Sequence, residues 1–260
     1  MTDTPSQPAG SPLQWLASRQ TSALLFVAAA AWAATLVLAR EMAGMTGTMG
    51  FGIGGFVAVW TLMMAAMMLP SVAPMASLYA RSVRVSRTTR LGALVLGYLV
   101  VWAIAGLPAY GLAWLTSWLD GHHPAAAHGL AIGIFAACGV YQLTDAKDRC
   151  LAHCRSPFGL LLRYGSFRGR TRDLRVGAHH GAYCLGCCWA LMLVLIAVGV
   201  MNIVAMVALA VVILVEKVSP KGELIARLAG FAALGLALAT IWLPWLAPGL
   251  QAAHPMMMGS

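Results

Sequence analysis

Residues 182–215 read AYCLGCCWALMLVLIAVGVMNIVAMVALAVVILV. These 34 residues contain no charged side chain. As one α-helix they would extend about 51 Å at 1.5 Å per residue, far more than the ~30 Å hydrocarbon core of a bilayer. The run therefore has to turn back, and Met201-Asn202 marks the tight turn. Ala182–Val200 then reads as one membrane span and Ile203–Val215 as the next. In lipid every backbone N–H and C=O must pair within its own segment or a closed barrel, so uninterrupted apolar runs of this length specify helices.

The remainder of the chain repeats this pattern. Thr21–Ala39, Phe51–Pro70, Leu91–Leu115, Ala125–Leu143 and Leu228–Leu246 are further apolar runs of spanning length. Pro70 and Pro74 are expected to kink or break the second of them. Thr21–Ala39 is longer than a signal-peptide core, and Leu-Ala-Arg-Glu at 38–41 is a poor cleavage site, so the segment reads as an anchor. The chain is 60% hydrophobic and 10% charged, against about 25% charged in soluble domains. The fold class is all-α: a polytopic transmembrane helical bundle of about seven spans. Residues 1–20 form a flexible tail, 21–247 a single transmembrane domain, and 248–260 a short external tail.

Charge sets the orientation. With the amino terminus in the cytoplasm, the inner segments are the start, 81–90, 144–181 and 216–227. They hold one, four, eight and three Lys and Arg residues, 16 of the 17 in the chain, leaving only Arg40 outside. Basic residues concentrate in cytoplasmic loops of membrane proteins, so this pattern points to a multi-pass membrane protein with its amino terminus in the cytoplasm. The same rule accounts for the net charge of +9 and leaves no call for nucleic acid as a partner; the bilayer is the partner. The long basic loop, 144–181, contains Pro157–Tyr164, a stretch suited to the membrane interface.

Five of the six cysteines, Cys150, Cys154, Cys184, Cys187 and Cys188, then lie on the cytoplasmic side. Thiols stay reduced there, which makes them ligands before disulfides. Cys150 and Cys154 share a helix face, as do Cys184, Cys187 and Cys188. Two sulfur groups from separate arms are how thiolate metal sites are assembled, and soft sulfur ligands select Cu(I), with zinc the lesser fit. His179 and His180 precede the second group, and His153 lies within the first, pointing away from its sulfurs. In the second span, Met63, Met64, Met67 and Met68 overlay two thioether pairs, a ladder for transfer of a weakly held Cu(I), although methionine is also an adaptable core filler. Met42, Met45, Met49, His122, His123, His128, His254 and Met256–Met258 lie outside as weaker donors.

No acidic or basic residue lies inside the spans except Glu216 at the inner end of the sixth, which disfavours transport of hard cations through carboxylates. Glu216-Lys217 reads as an interfacial pair rather than a relay. Nucleotide-binding and hydrolase motifs are absent, so neither ATP-driven pumping nor hydrolysis is indicated.

Three runs resemble the hallmarks of a known family. They are Trp60-Thr-Leu-Met63-Met64-Ala-Ala-Met67-Met68-Leu-Pro70-Ser-Val-Ala-Pro74, then Lys147-Asp-Arg-Cys150-Leu-Ala-His153-Cys154-Arg155-Ser-Pro157, and Gly181-Ala-Tyr-Cys184-Leu-Gly-Cys187-Cys188-Trp189-Ala-Leu-Met192, followed by Met201-Asn202 and Glu216-Lys217. The family is that of bacterial predicted metal-binding integral membrane proteins, formerly a domain of unknown function, and it includes a membrane copper chaperone serving a bacterial tyrosinase. The resemblance spans roughly residues 20–220. It implies a non-enzymatic copper transporter or chaperone for cuproenzyme maturation, a multi-pass protein of a bacterial cytoplasmic (inner) membrane, with a soluble or periplasmic copper protein as client. The competing expectation is a membrane thiol–disulfide oxidoreductase using Cys184/Cys187 with Cys150/Cys154.

Overall fold

A computed structural model describes residues 19–42, 45, 47–83, 86–156, 164–165 and 167–250. Among them are eight α-helices and no strand: α1 (Arg19–Glu41), α2 (Ile53–Ser82), α3 (Arg87–His122), α4 (Pro124–Gln142), α5 (Asp145–Arg155), α6 (Arg172–Val198), α7 (Ile203–Val218) and α8 (Gly222–Trp242). Two 3-10 turns, Pro244–Leu246 and Pro248–Leu250, follow. Six helices, α1, α2, α3, α4, α6 and α8, are long and apolar enough to cross a membrane. The stretch expected to be the sixth of seven spans forms α7, a helix of 16 residues, about 24 Å long. The outward faces are apolar: Val204, Phe231 and Ile104 are exposed, as lipid-facing side chains are.

The 182–215 run does break at its centre. Gly199 ends α6 with φ +110°, a conformation open chiefly to glycine. Asn202 opens α7, its side chain accepting from Ala205 N at 3.0 Å, a good N-cap. The second 3-10 turn closes over the break. A Cβ on Gly249 would come within 2.5 Å of Gly199 N and 2.6 Å of Ile196 O.

Two expectations are corrected. Of the kink or break expected at Pro70 and Pro74, the break is absent: helix α2 runs through both to Ser82. Membrane helices tolerate proline where packing against neighbouring helices compensates the backbone, and α2 is buried through most of this stretch. Ser71 and Ser77 donate to Met68 O and Pro74 O, not to the Ala66 and Pro70 carbonyls whose helical partners the prolines remove. Helix α6 begins at Arg172, ten residues before the apolar run, so His179 and His180 are helical rather than loop residues. Its start is fixed by Asp173, which accepts from Arg90 Nε at 2.9 Å, Arg90 Nη2 at 3.0 Å and the Tyr79 hydroxyl. A carboxylate in a first helical turn also favours the helix dipole. The interfacial stretch 157–163 and the terminal His254 and Met256–Met258 fall outside the described residues.

Helices α3 and α6 meet at backbone distance. A Cβ on Gly97 would lie 2.1 Å from Leu174 O, and one on Gly177 only 1.9 Å from Leu94 O. Gly177 and Gly181 form a small-xxx-small pair, the pattern that lets membrane helices approach this closely.

The contacts sort the connections into two ends. At one, Tyr79, Arg90 and Asp173 join α2, α3 and α6, while Arg155 donates to Ser219 O and Pro220 O at 2.7 and 2.8 Å. At the other, Gly47 abuts Ser117, and His128 Nε2 is 2.7 Å from Thr240 O.

Candidate metal centre

On α6, His180 is one turn before Cys184, and Cys187 and Cys188 are one turn after it, so helical periodicity turns all four towards one side. The sulfurs of Cys184, Cys187 and Cys188 lie within 4.8 Å of one another and are buried. Two sulfurs bound at about 2.3 Å to one ion are at most ~4.6 Å apart, so the spread is close to what a single ion gathers. The thiols of Cys187 and Cys188 both donate to Cys184 O, at 3.1 and 2.8 Å.

A fourth sulfur comes from α5. Cys154 Sγ donates to Cys187 Sγ at 3.9 Å. That contact and burial raise the Cys154 thiol well above its ordinary pKa. Cys150, one turn earlier, is not part of the three-sulfur group. Its sulfur packs over Gly186, where a Cβ would stand only 2.9 Å from it, and burial, followed by the neighbouring Cys187, raises its pKa too. The two cysteine arms expected from the sequence therefore meet, through Cys154 and Cys187.

Lys147 holds α5 there. Its Nζ donates to Cys187 O at 2.5 Å and to Glu216 Oε2 at 2.7 Å, and Gln142 Nε2 donates to Glu216 Oε1 at 2.9 Å. Lys147 and Glu216 are fully enclosed, with side chains 0% and 1% exposed. One ammonium thus ties α5 to α6 and α7. Thr144 caps α5, accepting from Lys147 N at 3.3 Å, so the same short stretch both starts the helix and docks it.

Glu216 and Lys217 do not form the expected interfacial pair. Adjacent helical residues diverge: Glu216 turns to Lys147, while Lys217 reaches Cys184 Sγ at 2.9 Å and Ser71 Oγ at 3.1 Å. Tyr98 Oη, from α3, is also 2.9 Å from Cys184 Sγ. The cysteine group thus has a cation and a phenol against one of its sulfurs.

The histidines part in the same way. His180 is buried beside the Tyr98 ring, and its Nδ1 has no hydrogen-bond partner among the described residues. A buried ring nitrogen left open beside a thiol group is the kind of donor a metal site uses. His179 lies in an aromatic nest instead, its Nδ1 3.3 Å from Tyr164 Oη and its ring against His153, Phe167 and Tyr183. His153 stacks on Tyr183, ring centroids 3.6 Å apart.

Met63, Met64, Met67 and Met68 are all buried, in the same apolar core as the three α6 cysteines. Met67 also lines a groove of about 250 Å³ with Trp32, Pro70 and Leu214. One turn beyond Met67 is Ser71, whose hydroxyl shares Lys217 with Cys184. At the opposite end His122 and His123 are exposed, their rings 5.0 and 5.6 Å from that of Trp118. Met45 is exposed, while Met42 and Met49 are buried.

Sequence reasoning assigned no role at the site to Lys147, Tyr98, Ser71 or Gln142, and read Lys217 only as half of an interfacial pair. A signal existed for two of them. Lys147 is one turn ahead of Cys150, and Lys217 closes an apolar run where a charge is costly without a partner. Tyr98 and Ser71 carry no such mark, because only the packing of α2 and α3 brings them in.

No curated protein and no solved structure gave a significant match to the chain. The protein-family model described as PpoB2 copper chaperone matches residues 57–240, a stretch holding the α2 methionines, both cysteine arms and the Lys147–Glu216 pair. A buried group of soft sulfur donors in an apolar helical bundle is the chemistry that description requires, and the chain belongs to the PpoB2 copper chaperone family.

Proposed function

We propose that this protein crosses a bacterial inner membrane seven times with its amino terminus in the cytoplasm. It holds Cu(I) at the cysteine end and hands it on for the maturation of a copper enzyme. The observation that carries this reading is the meeting of four sulfurs from two helices. Three lie within 4.8 Å of one another on α6, and Cys154 of α5 is 3.9 Å from Cys187. Thiolates suit soft ions such as Cu(I). Cys184, Cys187, Cys188 and Cys154 form the holding set, with His180 as the nitrogen donor and Cys150 at its edge. His179 supports the aromatic nest beside it. Met63, Met64, Met67 and Met68 pass the ion along α2, and the histidines and methionines of the far end collect or release it.

Such a relay works by ligand exchange between sites of graded affinity. No covalent bond to carbon, nitrogen or oxygen is made or broken, so the protein is not an enzyme on this reading. The lower affinity of thioether for Cu(I) lets the ion move, whereas thiolates retain it. A copper-binding protein on the receiving side completes the path.

The test is Cu(I) competition against a chromophoric chelator, with metal content measured on the purified full chain in detergent. The double variant Cys184→Ser, Cys187→Ser is expected to lose most of the bound copper; unchanged stoichiometry overturns the assignment. Thiol trapping in cells separates this reading from thiol–disulfide exchange. A copper site yields thiols shielded by metal, whereas an oxidoreductase yields a standing population of Cys184–Cys187 disulfide.

A further inference from the structure

The buried Lys217 has a place in the cysteine group that copper handling as such does not require. Its ammonium is 2.9 Å from Cys184 Sγ and 3.1 Å from Ser71 Oγ. Among the described residues no carboxylate pairs with it. The nearest in sequence, Glu216, is taken by Lys147 at 2.7 Å, and that pair is neutral by itself. One uncompensated positive charge therefore faces the sulfurs inside the protein, where charge interactions are weakly screened. We infer that Lys217 is a specificity-determining residue that makes the site prefer a monovalent soft ion over a divalent one held by the same thiolates. The inference rests on the metal reading above.

The reason is charge balance. Two thiolates around Cu(I) carry a net charge of minus one, and the ammonium brings the assembly to zero. Two thiolates around a divalent ion are already neutral, and the ammonium leaves an excess positive charge. For any one set of sulfurs the monovalent complex is one unit more negative, so the lysine attracts it more. The thiol protons lost on loading are the same for both ions and cancel in the comparison. Ser71 supports the geometry from α2, accepting one N–H of the ammonium so that another points at Cys184.

Mercuric ion is the suitable probe, since like Cu(I) it takes two thiolates in line. Zinc is not, because a third thiolate would restore the same charge. The experiment measures Cu(I) and Hg(II) affinities on the purified full chain, for wild type and for Lys217→Met, Lys217→Arg and Ser71→Asp. A unit charge about 5 Å from the ion, at an effective dielectric near 20, makes the expected fall in the Cu(I)-to-Hg(II) affinity ratio for Lys217→Met on the order of a hundredfold. Lys217→Arg keeps the cation and holds the ratio near wild type. Ser71→Asp leaves the lysine in place but neutralises it from α2, and the ratio falls there too, which serves if Lys217→Met does not accumulate. A wild-type ratio in Ser71→Asp, or in a folded Lys217→Met, overturns the role of Lys217. Failure of the wild type to bind Cu(I) at all overturns the metal reading beneath it.

Discussion

At the cysteine end of the bundle the α6 donors Cys184, Cys187, Cys188 and His180 are buried, and Cys154 of α5 is partly buried. Cys184 meets a lysine and a tyrosine, Cys154 rides on a helix fixed by a buried ion pair, and His180 is buried beside Tyr98. At the far end Met42 and Met49 are buried, but other soft donors reach the surface. His122 and His123 are exposed around Trp118, and Met45 is half exposed. The difference is one of desolvation. A donor already stripped of water and oriented loses little freedom when an ion arrives, whereas an exposed one must be ordered at that moment. On the proposed reading the buried end retains the ion, and the open end meets whatever brings or takes it.

The largest blow to this contrast comes from the pair that builds the enclosed end. Lys147→Met leaves Glu216 buried with only Gln142 beside it. Removing one member of a buried pair costs about 3–5 kcal/mol, read as a fall in thermal unfolding temperature of the detergent-solubilised chain. Cu(I) affinity is expected to fall with it, because α5 loses its tie to α6. A variant with wild-type stability would show that the pair does not hold α5.

A finer cut separates the two sulfurs of α5. Cys154→Ser is expected to weaken Cu(I) binding by about tenfold, near 1.4 kcal/mol, while Cys150→Ser, whose sulfur rests on Gly186, changes it less. Equal losses in chelator competition would place Cys150 on the ion as well. The smallest effect is expected at the open end. His122→Ala with His123→Ala should leave stability within about 0.5 kcal/mol, as exposed substitutions do, and should not change copper stoichiometry. Loss of bound copper there would erase the distinction between the ends.

Much of this was legible in the chain. The uncharged run at 182–215 exceeds a bilayer, and the turn expected at Met201-Asn202 lies within the observed break, although Gly199, which ends α6, was not singled out. The cysteines three and four residues apart on α6 had to share a face. What could not be read was set by contact between distant segments. Nothing local directs Glu216 to Lys147 and Lys217 to Cys184; the helical turn between neighbours does so only once α5 and α2 flank α7. Hydropathy also missed the true start of α6, because residues 172–181 are polar enough to read as loop, yet Asp173 is bound by Tyr79 and Arg90. Proline rules written for water overstated the break in α2.

The backbone crossing of α3 on α6 has one more consequence. Where Gly97 and Gly177 meet, not even a methyl group fits between the helices, so the two rods can neither slide nor roll there without collision. Tyr98 follows Gly97 directly, and Cys184 is two turns beyond Gly177. The crossing is therefore a datum in the machinist's sense, a fixed reference from which the phenol-to-sulfur spacing is gauged, so that any play in the assembly must be sought in the parts bolted to it.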